Sequence, residues 1–444
     1  MTDTKTHGYV AEGYGRVADA FRRNFAHHGE IGAAVAVFDG DTPVVDLWGG
    51  LRDRERRLPW ERDTIVPVFS STKGVAALIL AMLVTRGQLD YDEPVARYWP
   101  EFAARGKGEV TVRQLIDHQV GLHILRGTRM TLADLHDLDR VAGVLAAQRP
   151  AWTPGTRQGY HPVSIGLFIN ELVRRADPAG RSIRRFLAEE IAGPLAVDFT
   201  LGLDADLGGD RIARLIRTNG LELRYERNLP WNQAIPALLR RGQLFRALAV
   251  PDLGMPEDFV RPEIMSVELP GSNGVGSARG LARIYAAGLT GELPISGAVR
   301  ARLADAGPVP APDAVVKTIT RFHLGFRKSC PTFPFGSPDH RAYGTPGMGG
   351  SLGFADPHTG LSFAYVPNRL ASPSMATTAA CACPARSSDI RHADRARAVN
   401  RARPPLVDSC VPALSRLRFT PRSGSPAAGP GPRRGRPPAG SSLG

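Results

Sequence analysis

Three stretches of the chain hold residues whose types and spacing could do covalent chemistry. The first is Phe69-Ser70-Ser71-Thr72-Lys73, which runs into the apolar segment Gly74 to Val84. A serine hydroxyl attacks poorly until an adjacent base takes its proton. Ser70 and Lys73 are three residues apart, the spacing of one helical face, whereas Ser71 points elsewhere. The segment after Lys73 is apolar on every side and predicts a helix buried all round. Desolvation disfavours an ammonium there, and a cation near a helix N-terminus opposes the macrodipole. Both lower the lysine pKa toward what a general base at neutral pH needs. With five lysines in the chain, about 0.3 matches to S-x-x-K are expected by chance. The competing reading is a surface serine capping a helix, with Lys73 snorkelling to water.

The second stretch, Gly159-Tyr160-His161-Pro162, sits at a turn before a helix starting near Ser164. A lysine ammonium within several ångströms would favour the Tyr160 phenolate. His161 reads as a packing or hydrogen-bonding histidine. The third, Tyr343 to Phe354, carries five glycines in a strand context. Glycines weaken a strand unless another backbone or a ligand must come close. An exposed N–H there could form half of an oxyanion hole; an ordinary Gly-rich bulge is the alternative.

Elements that could position these groups follow from the patterning. Glu12 to His28 reads as an amphipathic helix, and Ile31–Phe38 and Val44–Trp48 as strands joined by the turn Asp39-Gly40-Asp41. Helices follow after an N-cap at Thr111 and over Leu132–Gln148, Ser164–Arg175, Ile183–Leu195 and Gly280–Ala287. Strands return at Phe322–Arg327, Ser351–Phe354 and Leu361–Val366. Strands at both ends and helices between suggest an α+β class, with an antiparallel sheet built from both ends of the chain and a helical region inserted between. The sheet draws on residues about 30–60 and 320–370, and the helical region spans about 75–290.

The net charge of +13 does not mark a nucleic-acid binder, because it is unevenly spread. Residues 371–444 carry 12 Arg against 3 Asp, while the rest is nearly neutral. Pro, Ala, Arg, Ser and Gly dominate that tail, which reads as mostly disordered, with a weakly patterned helix at Asp389–Ala402. The folded domain is therefore set at 1–370 and the tail at 371–444. Cys330 is alone in the body and Cys381, Cys383 and Cys410 lie in the tail, so no disulfide framework is read. No metal site and no cofactor are called. No apolar run reaches 18 residues and no signal core opens the chain, so neither membrane insertion nor secretion is expected and a cytoplasmic location is the default.

The order S-x-x-K, Tyr and Gly-rich late strand resembles the serine β-lactamase and penicillin-binding-protein superfamily, most of all the class C β-lactamase-like esterases. Val112 to Leu122, Trp152-Thr153-Pro154-Gly155, Asn273 to Ala278 and Gly349 to Pro357 share the likeness, which covers roughly residues 12–370. The resemblance implies an α+β fold, a central antiparallel β-sheet flanked by helices with an inserted all-helical domain. It implies that Ser70 is acylated and that Lys73 and Tyr160 share the base and acid roles. It implies an oxyanion hole from the N–H groups of Ser70 and Met348, and a substrate-binding strand including Thr345, Gly347, Gly349 and Gly350. The implied substrate is a small carboxylic ester or a β-lactam-like molecule, with no specific nucleic acid as partner and no oligomeric state indicated.

Three departures qualify the likeness. Pro162 stands where the family commonly has Asn, and Thr345-Pro346-Gly347 replaces K-T-G or H-x-G, which disfavours carboxylate recognition and favours neutral esters. The tail replaces a C-terminal helix that covers the sheet in relatives, a change of composition like an out-of-frame reading of GC-rich DNA. Alternatives of the same fold are β-lactam hydrolysis, D-alanyl peptide hydrolysis and acyl transfer to an alcohol. A degenerate, non-catalytic binder is another alternative. Arg434-Gly435-Arg436-Pro437 resembles an AT-hook core but fits the compositional bias of the tail.

Overall fold

Strands from the two ends of the chain pair with each other, and this pairing sets where everything else goes. The computed structural model describes residues 5–128, 130–203, 209–217, 242–249 and 253–370, all within one compact unit, Met1–Val399. The tail, with Cys381, Cys383, Cys410, the helix expected at Asp389–Ala402 and the Arg434–Pro437 motif, lies outside the described residues.

Strands β1 (Thr6–Val10), β2 (Gly32–Asp39) and β3 (Thr42–Asp53) come from the N-terminal end. Strands β4 (Val66–Phe69), β5 (Phe199–Leu201) and β6 (Gly274–Gly276) form a small antiparallel sheet in the order β4-β6-β5. A two-stranded hairpin, β7 (Ala311–Pro312) and β8 (Ile319–Thr320), precedes the return to the main sheet. The return consists of β9 (Phe322–His323), β10 (Phe326–Lys328), β11 (Tyr343–Pro346), β12 (Leu352–Asp356) and β13 (Leu361–Pro367). The main sheet runs β1-β3-β2-β13-β12-β11-β10-β9, antiparallel throughout, and β13 meets β2 with Phe363 opposite Val37 and Tyr365 opposite Val35.

The strands alternate their side chains between two cores, as period-2 geometry requires. Val35, Val37, Phe363 and Tyr365 face helix α1 (Gly15–His27) through Val17, Ala18 and Phe21. Ala36, Phe38, Ala364 and Val366 face the opposite core, built on helix α2 (Thr72–Thr85). Helices α3 (Val112–Ile116), α4 (Leu138–Ala146), α5 (Ser164–Ala176) and α6 (Ile183–Leu187) follow in the middle of the chain. Helix α7 (Ala278–Thr290) then packs along β2, β12 and β13. The α+β arrangement expected from the sequence is what forms.

Its details differ in instructive places. The segment Leu132–Gln148 is two pieces, a 3-10 turn at Ala133–His136 and then α4, because the Asp137 carboxylate accepts from Arg140 N at 3.0 Å and starts a new helix. The helix expected over Ile183–Leu195 ends at Leu187 and continues as a π turn over Ala188–Ala192. Phe322–Arg327 is a hairpin rather than one strand, turning at Leu324 and Gly325 with φ of 50° and 83°. Strands β1, β4, β5 and β6 escape the sequence patterning because they are short and carry Pro67, Gly274 and Gly276.

Thr111 caps α3 as expected: its hydroxyl accepts from Gln114 N at 3.2 Å and Gln114 Oε1 accepts from Thr111 N at 3.1 Å. Replacing Thr111 with Ala is expected to lower unfolding free energy by about 1 kcal/mol, and Thr111→Ser by only a few tenths. Denaturant unfolding of the two variants checks this.

Candidate active site

Helix α2 is buried from Thr72 to Leu83, and the turn that opens it carries the first functional group. Ser70 lies in that turn, one residue outside Ser71 and the helix proper, with its carbonyl accepting from Lys73 N at 3.0 Å. The three-residue offset to Lys73 survives. The turn is sharp: Phe69, which has a Cβ, is held at φ 47°, a left-handed conformation that costs of order 1–3 kcal/mol unless its surroundings enforce it. Thr72 enforces it. Its buried hydroxyl donates to the Phe69 carbonyl and accepts from Gly274 N of β6 at 2.9 Å.

Lys73 is 2 % exposed, and its Nζ lies 2.9 Å from Ser70 Oγ, 2.8 Å from the Pro162 carbonyl and 2.5 Å from the Gly271 carbonyl. Burial lowers its pKa to about 7. Tyr160 Oη donates to Ser70 Oγ at 2.7 Å, and the Lys73 ammonium position is 5.1 Å from the Tyr160 ring centre. The expectation that a nearby lysine would favour the phenolate is corrected here. Burial pushes the Tyr160 phenol up to about 12, against a smaller opposing effect of the bond to Ser70. Tyr160 is therefore a protonated donor.

Ser70 thus meets both Lys73, three residues on, and Tyr160, 90 residues away in the chain. Ser71 points away, as expected, into a buried pair with Ser351 Oγ at 3.1 Å, and Ser351 donates to the Val68 carbonyl at 2.7 Å. This pair fastens the glycine-rich segment to the Ser70 turn. Gly347 is required there: a Cβ on it would come within 2.2 Å of the Val68 carbonyl and 2.1 Å of Ser351 Oγ. Among the described residues, neither Ser70 N–H nor Met348 N–H donates to a protein acceptor. Two free amides therefore flank the joint between the turn and the late strand.

The rest of the glycine-rich segment plays other parts. Gly349 and Gly350 are buried at positive φ of 82° and 105°, and Gly349 packs against Leu370. Thr345 is a correction. Expected among the substrate-binding residues, it is 4 % exposed and its hydroxyl faces Tyr285 Oη and Gly74 behind α2. Among the described residues neither of these two hydroxyls completes a hydrogen bond of good geometry.

His161 is structural: its Nε2 accepts from Leu122 N at 2.8 Å and its Nδ1 faces the Gly159 carbonyl at 2.6 Å. Burial and the nearby His123 lower its pKa to about 3, so the ring stays neutral. Several groups at the site were not singled out from the sequence. The carbonyls of Pro162 and Gly271, the Thr72 hydroxyl, and His118, whose ring stands edge-on to Tyr160 at 5.1 Å, belong to this group. Main-chain acceptors leave no trace in residue type. Thr72 does: it sits inside the S-x-x-K motif.

A family model described as Beta-lactamase matches residues 17–380. The chain belongs to the β-lactamase family. Esterase/beta-lactamase LipL of Mycobacterium tuberculosis is 34% identical over 378 residues, 81% of this chain and 82% of that protein. The crystal structure of a family VIII carboxylesterase is 33% identical, with TM-score 0.73, covering 86% of this chain and all of that one. A penicillin-binding protein homologue from Caulobacter crescentus is likewise 33% identical, with TM-score 0.70 and coverage of 86% of this chain and 100% of the other. This β-lactamase-family chain is accordingly a serine hydrolase. Among the described residues no helix is long and apolar enough to cross a membrane.

The uncompensated hydroxyls behind α2 give a test of the revised place of Thr345. Replacing both with same-shape apolar groups, as Thr345→Val with Tyr285→Phe, should leave stability within about 1 kcal/mol of the parent or raise it. Thermal unfolding measures this. Turnover of the double variant should stay within about threefold, because neither hydroxyl touches Ser70.

Proposed function

We propose that this serine hydrolase acts on small, neutral carboxylic esters through an acyl-Ser70 intermediate. The observation that carries the reading is the hydrogen-bond count at Lys73. A neutral amine has two N–H bonds and one lone pair. Two carbonyls, of Pro162 and Gly271, take the two N–H bonds, which leaves the lone pair for the Ser70 hydroxyl at 2.9 Å. With a pKa of about 7, a large share of Lys73 is in that form at neutral pH.

In this reading Lys73 takes the Ser70 proton as Oγ bonds to the ester carbonyl carbon. The N–H groups of Ser70 and Met348 receive the developing oxyanion. Collapse breaks the bond to the alcohol, which leaves with the Tyr160 proton, and the phenolate then lies beside the Lys73 ammonium. In deacylation the phenolate takes a proton from water, hydroxide attacks the acyl carbon, and Ser70 departs with the proton held by Lys73. All three groups return to their starting protonation.

Preference for a neutral ester is supported by the stretch Thr345-Pro346-Gly347, which brings neither a cation nor an imidazole to the late strand to pair with a substrate carboxylate. β-Lactam hydrolysis is the second reading, favoured by the paired activities in the name of LipL. The test is turnover of short-chain p-nitrophenyl esters, with nitrocefin in parallel. Ser70→Ala and Lys73→Ala should each lose at least about a thousandfold in kcat/KM, and Tyr160→Phe about a hundredfold or more. Ester turnover that survives Ser70→Ala would refute the reading.

The pH dependence has a definite sign. Protonated Lys73 cannot accept the Ser70 proton, so kcat/KM should fall about tenfold per pH unit below the Lys73 pKa of about 7 and level off above it. Tyr160, at about 12, keeps its proton across that plateau. A pH–rate profile from 5 to about 10 reads this directly.

A further inference from the structure

We infer that Asp313 is a positioning residue for Tyr160, an inference that rests on the reading of Tyr160 as the proton donor to the leaving group. Asp313 is 3 % exposed and forms no salt bridge among the described residues. Its carboxylate is instead ringed by donors. Tyr160 N reaches both oxygens, at 3.1 and 3.0 Å, Val315 N and Val316 N reach Oδ1 at 2.8 and 2.9 Å, and Thr320 Oγ1 reaches Oδ2 at 3.2 Å. A buried carboxylate is costly unless it is fully hydrogen-bonded. Here the main-chain N–H of Tyr160 itself supplies part of that compensation.

The contacts around this one lock the same segment from several sides. Asp313 closes the β7–β8 hairpin, with its N–H on the Thr318 carbonyl at 2.9 Å and Lys317 N on its own carbonyl at 3.1 Å. The hairpin grips the residues before Tyr160: Ala314 N donates to the Gln158 carbonyl at 3.0 Å, and Gln158 Nε2 reaches the Ala311 and Thr320 carbonyls, each at 2.9 Å. Thr320 Oγ1 accepts from Gln158 Nε2 at 2.8 Å while it donates to Asp313, so one hydroxyl links both anchors. Two residues on, Phe322 lies flat on the Tyr160 ring, centres 5.9 Å apart and planes 5° apart. The hairpin therefore fixes the Tyr160 main chain and, through Phe322, its ring, and a phenol so held keeps its 2.7 Å contact to Ser70.

Displacing a catalytic group by about 1 Å can cost a hundredfold in rate. Asp313→Ala should therefore lower kcat for the ester by roughly ten- to a hundredfold with KM within about twofold. Asp313→Asn keeps one oxygen for the three amides and presents its NH2 to the Thr320 hydroxyl, so it should restore kcat to within about fivefold of the parent. A second readout does not need turnover. In protein carrying 3-fluorotyrosine, the 19F line assigned to Tyr160 by its loss in Tyr160→Phe should shift and broaden in Asp313→Ala and return in Asp313→Asn. An unmoved line in Asp313→Ala, or an asparagine variant as perturbed as the alanine one, would overturn the inference. Should Asp313→Ala fail to fold, Thr320→Val takes its place, and its removal of the shared hydroxyl should move the same line. If the parent protein hydrolyses no ester, the functional reading fails, while the 19F line still decides the role of Asp313.

Discussion

The active site depends on an amine stripped of water and pointed at a hydroxyl. Lys73 sits at the start of a helix whose every face is buried, and among the described residues its hydrogen-bond partners are Ser70 Oγ and two main-chain carbonyls. The carbonyls do more than satisfy it. One comes from the segment that carries Tyr160 and one from the loop before β6, and by taking the two N–H bonds of the neutral amine they leave its lone pair for Ser70. The small sheet β4-β6-β5, the strained Phe69 turn and the Thr72 clamp all serve to keep that geometry. The left-handed Phe69 is tolerated because packing over-determines it.

Burial alone would not single out Lys73. Lys107 and Lys328 are also fully buried, and burial lowers both of their pKa values. Their partners differ. Lys107 donates to three carbonyls, of Ala104, Ala146 and Gln148, which favours the ammonium and ties loops together. Lys328 donates to the Leu303 and Arg341 carbonyls and lies over the Tyr343 ring. Among the described lysines, Lys73 is the one hydrogen-bonded to a side-chain hydroxyl that it could deprotonate. Burial alone does not mark a functional lysine; the useful signal is the serine three residues before it.

How much was legible follows from where the information lies. Ser70, Lys73 and the buried helix were readable because helical periodicity and desolvation act within a few residues. Thr111 was readable because a cap is local. Tyr160 became legible through its resemblance to a family motif, and its protonation was misjudged because the dominant influence on it is burial by distant segments. Asp313 was invisible: its bond to Tyr160 N spans 153 residues and nothing near Asp313 in the chain marks it. Pro162 was read for the polar side chain it lacks, yet it holds Lys73 through its carbonyl, a group every residue type has. Thr345 was read from alignment with a motif, and the strand register turned its side chain toward α7 and α2 rather than toward a ligand.

The proposed mechanism requires Lys73 to be substantially uncharged at neutral pH. The direct measurement is the titration of lysine Nζ by NMR in protein labelled on lysine, with the Lys73 signal assigned by its disappearance in Lys73→Arg. A Lys73 midpoint near the expected value of about 7, moving when Ser70 is replaced by Ala, is the result the account predicts. A midpoint at the ordinary lysine value of 10.5 would contradict it, because an ammonium held there at neutral pH has no lone pair to offer Ser70.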